Sequence, residues 1–187
     1  MGLNINGASI AQSNNGLSVT ANSVTGLSFN SSDVPILNKR PSFIASINVA
    51  AWTGTITGWY DFVCTGAILD TSGNYNTSTG RFTAPVDGIY QFAFCAYVQK
   101  YPDTGASSYT HPLFLVNGSY TARSASPTTP YRLRSRTYYS SSYSTDVQIN
   151  EIFYLSAGDY VQPRSYFSGS GLRFYQPRTM FQGYLIN

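Results

Sequence analysis

Apolar and aromatic residues recur at every second position along much of the chain, in runs too short for long helices. Residues 43–49 read Phe-Ile-Ala-Ser-Ile-Asn-Val and alternate at their end. Residues 88–98 form a longer aromatic run, in which Tyr90, Phe92 and Phe94 have the same parity. Because successive residues of a strand point to opposite faces, these three aromatics are predicted to share one face of a sheet.

Turn residues separate the apolar runs. Asn117-Gly118 follows the run Leu113–Val116 and is a strong signal for a two-residue hairpin. Gly158-Asp159 predicts a second turn, after which a strand resumes at Tyr160. In the alternating run before that turn, the residues expected to face inward are Val147, Ile149, Phe153 and Leu155. No helical period extends over a dozen residues, so the pattern predicts an all-β sandwich or jelly roll.

The pattern changes near Asn38. Before it, Ser, Thr, Asn and Gly make up more than half of the residues, and Phe29 is the only aromatic. Three units of the form Gly-x-Ser-apolar begin at Gly7, Gly16 and Gly26, and each predicts a short strand. So few apolar groups cannot bury a core alone, so we expect this segment to be ordered by pairing with other copies of itself or with a partner protein. A disordered linker is the alternative.

We therefore divide the chain into an N-terminal docking or assembly arm, residues 1–38, and a head, residues 39–187. The whole chain has 187 residues, of which only 10% are charged, and its net charge is +3. This charge is too small to predict nucleic-acid binding. No apolar run approaches the length of a membrane span, and no secretion signal is recognisable, so we expect no membrane insertion.

The residues that usually carry catalysis are scarce. His111 is the single histidine, and beside Pro112 it is expected to be a solvated or capping residue in a loop. Cys64 and Cys95 lack a metal-binding spacing, and two buried thiols are the simplest interpretation, although a disulfide stays open. Glu151 is the only glutamate, so no carboxylate pair stands out for acid–base chemistry. We predict no enzyme, no catalytic residues and no cofactor.

Residues 75–92, Tyr-Asn-Thr-Ser-Thr-Gly-Arg-Phe-Thr-Ala-Pro-Val-Asp-Gly-Ile-Tyr-Gln-Phe, resemble the central signature of the globular domain of complement component 1q. Every fixed position of that signature is present. Flanking segments resemble the family in the same order, at residues 40–45, 113–118, 155–161 and 181–186. The resemblance covers about residues 40–187, and it implies a tumour-necrosis-factor-like jelly roll of two antiparallel sheets that assembles as a homotrimer.

The arm, residues 1–38, differs from the segment that precedes the head in most animal members of this family, which is a collagen stalk. Heads of this fold also occur at the ends of bacteriophage fibres and on viral capsids. The resemblance therefore implies a non-catalytic virion structural protein at the virion surface, a trimeric fibre or capsid-decorating protein. Residues 1–38 would anchor it to capsid or tail proteins, and the outward head would bind host-surface glycan or protein. The alternative is a secreted, extracellular recognition protein of the complement component 1q type, similar to a lectin.

Calcium is the one metal that the resemblance leaves open, because some members of the family bind calcium at the apex of the head. Calcium requires six to eight oxygen ligands that converge, whereas isolated aspartates are usually turn residues. The aspartates expected near loops are Asp61, Asp70, Asp87, Asp103 and Asp146.

A candidate ligand-binding face lies in residues 131–139. Arg132, Arg134 and Arg136 alternate, so on a strand they would project from one face, which Tyr138 would continue and near which Tyr139 would lie. Arginine forks and tyrosine rings suit anionic glycans or acidic protein surfaces. The alternative is a solvated outer strand whose charges prevent pairing between sheet edges.

Overall fold

The computed structural model describes residues 3–5, 8–13, 16–21, 24–29, 35–37, 40–101, 107–119, 136–139 and 143–186. The chain divides into two compact units, Met1–Arg40, here called the leader, and Pro41–Asn187, here called the head. The described residues form strands, turns and irregular segments. Among them no helix is long and apolar enough to cross a membrane.

The leader contains one antiparallel sheet in which each strand pairs with the next along the chain. Its strands are β1 (Leu3–Ile5), β2 (Ala8–Ser13), β3 (Gly16–Ala21), β4 (Val24–Phe29) and β5 (Pro35–Leu37). The short strands predicted for the three Gly-x-Ser-apolar units are present as β2, β3 and β4. They pair with one another inside a single chain.

The head is a sandwich of two sheets. Its strands are β6 (Ser42–Ser46), β7 (Gly58–Asp61), β8 (Gly66–Asp70), β9 (Tyr75–Asn76), β10 (Arg81–Thr83), β11 (Gly88–Lys100), β12 (Ser108–Val116), β13 (Thr137–Tyr139), β14 (Ser144–Leu155), β15 (Tyr160–Ser168) and β16 (Leu172–Leu185). The front sheet has the order β13-β12-β15-β10-β9, and β7 also pairs with β15. The back sheet has the order β14-β11-β16-β6-β8. All pairs within both sheets are antiparallel, so the predicted all-β sandwich is confirmed.

Aromatic rings from both sheets fill the core. Tyr90, Phe92 and Phe94 are all buried along β11, as their shared parity predicted. The ring of Phe94 lies 4.5 Å from that of Phe62, between centroids. The inward residues predicted on β14 are also confirmed, because Val147, Ile149, Phe153 and Leu155 are buried. Since each such side chain contributes about 1.5–3 kcal/mol when it leaves water, this alternation fixes which face of each sheet points inward.

The predicted turns are both present. Asn117 and Gly118 have φ angles of 53° and 72°, which a tight hairpin turn of this kind requires. The backbone N–H of Val116 donates to the carbonyl of Ser119 at 3.0 Å and closes the turn. Gly158 has a φ of 91° in the second turn, after which β15 begins at Tyr160.

The position predicted for His111 is wrong, because the residue lies inside β12 and is half-buried. Pro112 suggested a loop, since proline cannot donate a hydrogen bond to a neighbouring strand. Among the described residues, β13 pairs with β12 from Ser108 to Thr110, and this pairing ends before Pro112, so it requires no N–H from the proline. Both cysteines are free thiols. Cys64 is buried, as expected, whereas Cys95 is only half-buried.

Candidate functional site

Two of the residues predicted to form a ligand-binding face lie together on the front sheet. Arg136 directly precedes β13, and its Nη1 donates a hydrogen bond to the Tyr138 hydroxyl oxygen at 3.1 Å. This bond raises the pKa of Arg136. Tyr138 is 63% exposed. Arg132 and Arg134 lie outside the described residues, so the structure places only the C-terminal half of the predicted row.

Tyr139 does not belong to this face. It points into the sandwich, is 1% exposed, and its hydroxyl lies 3.3 Å from the Thr110 hydroxyl. Burial raises the pKa of Tyr139 to about 12. The physical reason is the period of the strand, because Tyr138 and Tyr139 are consecutive and therefore face opposite sides.

A tyrosine that the sequence did not suggest lies beside Arg136 and Tyr138. Tyr109 of β12 pairs with Tyr138 across the sheet, and their ring centroids are 5.7 Å apart. The guanidinium carbon of Arg136 lies 4.5 Å from the centroid of the Tyr109 ring. This distance is within the range of a cation–π interaction, so Arg136 is held over the ring of a neighbouring strand.

The rings continue across two further strands. Tyr166 of β15 lies 6.1 Å from Tyr109, and Trp59 of β7 lies 5.1 Å from Tyr166, between ring centroids. Trp59 is 51% exposed. We call Trp59, Tyr166, Tyr109 and Tyr138 the aromatic row. Its rings are inclined to one another by 40–62°, so the row is a corrugated surface of ring faces and edges rather than one flat platform.

The two arginines of this face differ in their partners. Arg164 lies 5.8 Å from the Trp59 ring and forms two hydrogen bonds with the Asp61 carboxylate, one of them from Nη2 to Oδ2 at 2.9 Å. This pairing raises the pKa of Arg164 and offsets its charge. Within the described part of the chain, no carboxylate pairs with Arg136. Arg136 is therefore the arginine of this face whose charge is not offset by a described acid.

Three of the aspartates considered as calcium ligands form hydrogen bonds with other parts of the head. Asp70 and Asp87 accept hydrogen bonds from backbone N–H groups, and Asp61 holds Arg164. Asp146 is exposed on β14, and Asp103 lies outside the described residues. Among the described residues, no three His, Cys, Asp or Glu side chains form a group that could hold a metal ion.

A second exposed surface lies on the outward face of the back sheet. Pairing puts Ile152, Gln91 and Tyr184 in one row across β14, β11 and β16. Ile152 is 61% exposed, and Tyr154 of the same strand is 54% exposed. A shallow depression of about 350 Å³ lies on this face, and its lining includes Ala93, Cys95, Gln148, Asn150, Met180 and Gln182. The back sheet thus presents large apolar groups to solvent in a single head.

The comparisons with known proteins agree with this architecture. The C1q domain family model matches residues 61–186. The globular domain of zebrafish complement 1qA protein has a similar structure, with a TM-score of 0.52 and 20% identity, over 80% of this chain and 98% of that chain. Murine APRIL at pH 5.0 is similar with a TM-score of 0.50 and 10% identity, over 79% of this chain and 100% of that chain. The search of curated proteins gave no match. The head therefore has the jelly-roll fold that the resemblance implied.

Proposed function

The chain belongs to the C1q domain family, and we propose that it is a non-catalytic structural protein of a virion, possessing a trimeric head for host recognition. The protein would form a fibre or decorate a capsid, as some bacteriophage proteins with heads of this fold do. Domains of this family typically form homotrimers and are generally non-catalytic. Beyond these family properties, we propose that the leader attaches to a virus particle and that the head binds a host surface.

The back sheet is the surface that we assign to trimer assembly, with two further copies of this chain as its occupants. Ile152, Tyr154 and Tyr184 are exposed on it, at 61%, 54% and 44%. Exposed apolar patches of this kind usually mark an interface, and aromatic residues are enriched in interface cores. Burying this face in a trimer would remove its apolar area from water and would leave the front sheet outward.

The observation that carries the recognition role is the aromatic row with Arg136. Four rings from four neighbouring strands lie on one face, and two of them are at least half exposed. Aromatic rings stack on apolar faces of sugar rings or side chains, and a guanidinium binds carboxylate or sulfate through paired hydrogen bonds. Three copies in one trimer would convert a modest affinity into strong avidity.

The test of the recognition role is attachment of the full chain to host cells. The variant in which Arg132, Arg134 and Arg136 are all changed to serine should attach more weakly while it stays folded. Arg136→Ser alone should also weaken attachment. Arg81→Ser is the matched control, because Arg81 lies over the Tyr160 ring and its Nε donates to Gln162, away from the aromatic row. Unchanged attachment of the triple variant would eliminate this face.

Whether the protein lies on the particle is tested separately, with antibodies raised against the head. Gold-labelled antibodies should decorate the surface of purified particles in electron micrographs. Label confined to soluble protein would instead favour the second candidate, a secreted recognition protein of the complement component 1q type. That candidate is supported by the family itself, since C1q domain proteins are often extracellular. A docking leader should be required for particle attachment, whereas a secreted binder should retain its activity without it.

A further inference from the structure

The outward face of the front sheet differs in charge between its two ends. At one end Arg136 is exposed over the Tyr109 ring, and within the described part of the chain no carboxylate pairs with it. At the other end Arg164 lies beside Trp59, and its Nη2 donates to Oδ2 of Asp61 at 2.9 Å. The face therefore carries one uncompensated positive charge at the first end and a neutral ion pair at the second.

The aromatic row connects these two ends. Its neighbouring ring centroids are 5.1–6.1 Å apart, and its outermost members, Trp59 and Tyr138, are 51% and 63% exposed. The face of an aromatic ring is electron-rich and attracts the C–H groups that cover one side of a sugar ring. Because the rings follow one another at short and similar intervals, successive sugars of one chain can contact successive rings.

The shape of this face favours a sugar chain over a protein as its ligand. Protein partners are usually held by a few side chains that fill well-packed pockets. The depressions of about 350 and 570 Å³ lie on the back sheet, where Cys95 and Met180 border both of them. The aromatic row, by contrast, is an open, corrugated surface of rings with a cation at one end.

We propose that the ligand of the aromatic row is an acidic oligosaccharide, whose carboxylate binds Arg136 and whose neutral sugars extend along the rings towards Trp59. This inference rests on the recognition role proposed above and names the chemical class of its ligand. A planar guanidinium matches a carboxylate through paired hydrogen bonds. The Tyr138 hydroxyl and the Tyr109 ring hold the guanidinium of Arg136 in place for this contact.

The opposite end of the row gives the ligand its direction. The Asp61 carboxylate accepts hydrogen bonds, so it can bind the hydroxyl groups of a neutral sugar that lies on Trp59. The same carboxylate repels a second acidic group at this end. The acidic sugar is therefore assigned to Arg136 and the neutral sugars to the Trp59 end.

Competition for attachment to host cells tests this ligand class, with soluble polysaccharide purified from the surface of the same cells. One portion is carboxyl-reduced, which converts each carboxylic acid to an alcohol and leaves the neutral sugars unchanged. The native polysaccharide should inhibit attachment of the full chain. The reduced polysaccharide should require a concentration at least about tenfold higher for the same inhibition, because hydrogen bonds between charged groups are the stronger ones.

Single variants separate the two ends of the row. Arg136→Gln should remove the difference between native and reduced polysaccharide, because it removes the charge that distinguishes them. Arg81→Gln is the matched control and should keep the difference, since Arg81 lies over the Tyr160 ring, away from the row. Trp59→Ala should raise both inhibitory concentrations by a similar factor and preserve their ratio.

Equal inhibition by native and reduced polysaccharide would overturn the acidic ligand, and so would an Arg136→Gln variant that still distinguishes the two. Absence of inhibition by either, while the triple variant of Arg132, Arg134 and Arg136 still attaches weakly, would indicate a protein ligand. That result would overturn the oligosaccharide and leave the recognition face in place. Unchanged attachment of the triple variant would overturn both.

Discussion

Tyr75 and Cys64 show what a residue of the family signature does physically. The ring of Tyr75 stacks on Phe43 with centroids 4.8 Å apart, and its hydroxyl donates to the backbone carbonyl of Cys64 at 2.9 Å. Both side chains lie in the core, and burial raises both of their pKa values. That of Cys64 rises from 9.0 to about 12. The protonated, neutral forms of both groups are therefore the ones that the fold stabilises.

We predict that alkaline pH destabilises the head partly through Cys64. A group whose folded pKa is raised stabilises the fold fully below its unfolded pKa, and this contribution is lost as pH rises through the window from about 9 to 12. At pH 11 the loss should be on the order of 1–3 kcal/mol. Cys64→Ser removes this titration, so the difference in unfolding free energy between variant and parent should shrink from pH 8 to pH 11 in denaturant titrations. Parallel curves over that range would refute the assignment.

At the same scale, the sequence pattern grouped Tyr139 with Tyr138 on the candidate face, whereas Tyr139 is buried. Both were placed near the candidate face because they adjoin the alternating arginines. The strand period assigns Tyr138 to that face and Tyr139 to the core, so stricter use of parity along residues 136–139 would have found the division. The partners of Arg136 were beyond such reasoning, because Tyr109 is brought to it by pairing between strands far apart in the sequence.

Among the elements, the Asn117-Gly118 turn joins two ends of the front sheet. The Asn117 side-chain oxygen accepts a hydrogen bond from the backbone N–H of Tyr160 at 2.9 Å. Its amide nitrogen donates to the Asp159 carboxylate at 2.7 Å. The turn after β12 is thereby tied to the start of β15, and Asn117 also keeps a φ of 53° that few residues adopt readily.

Substitution of Asn117 should separate these two contributions. Asn117→Ala loses both hydrogen bonds and is strained at positive φ, so it should lower the unfolding free energy by about 2–3 kcal/mol. Asn117→Gly loses the same hydrogen bonds but accepts the backbone angle, and should be less destabilising by about 1 kcal/mol. The two variants are compared by chemical denaturation at one protein concentration. Equal stability of the two would show that the backbone angle contributes nothing.

The elements themselves were largely predictable, whereas the aromatic row was not. The strand at Gly88–Lys100, the alternation in β14 and both turns follow from local periodicity and turn chemistry. The row depends on β7 pairing with β15, which brings Trp59 beside Tyr166. Pairing of this kind is set by the whole sandwich, and neither residue carries a local signal for it.

At the scale of the whole molecule, the two sheets of the head have different outward faces. The front sheet presents the aromatic row and Arg136, and the back sheet presents exposed Ile152, Tyr154 and Tyr184. Burial of the back-sheet face between copies would leave three front sheets pointing outward. The proposed recognition role and its avidity both depend on this assembly.

The solution mass of the full chain, measured by light scattering over a range of concentrations, tests this assembly most directly. We expect a mass three times that of the 20.5 kDa chain, unchanged on dilution through the micromolar range. A mass equal to that of one chain would contradict it, because the apolar face of the back sheet would then be exposed to water without a partner.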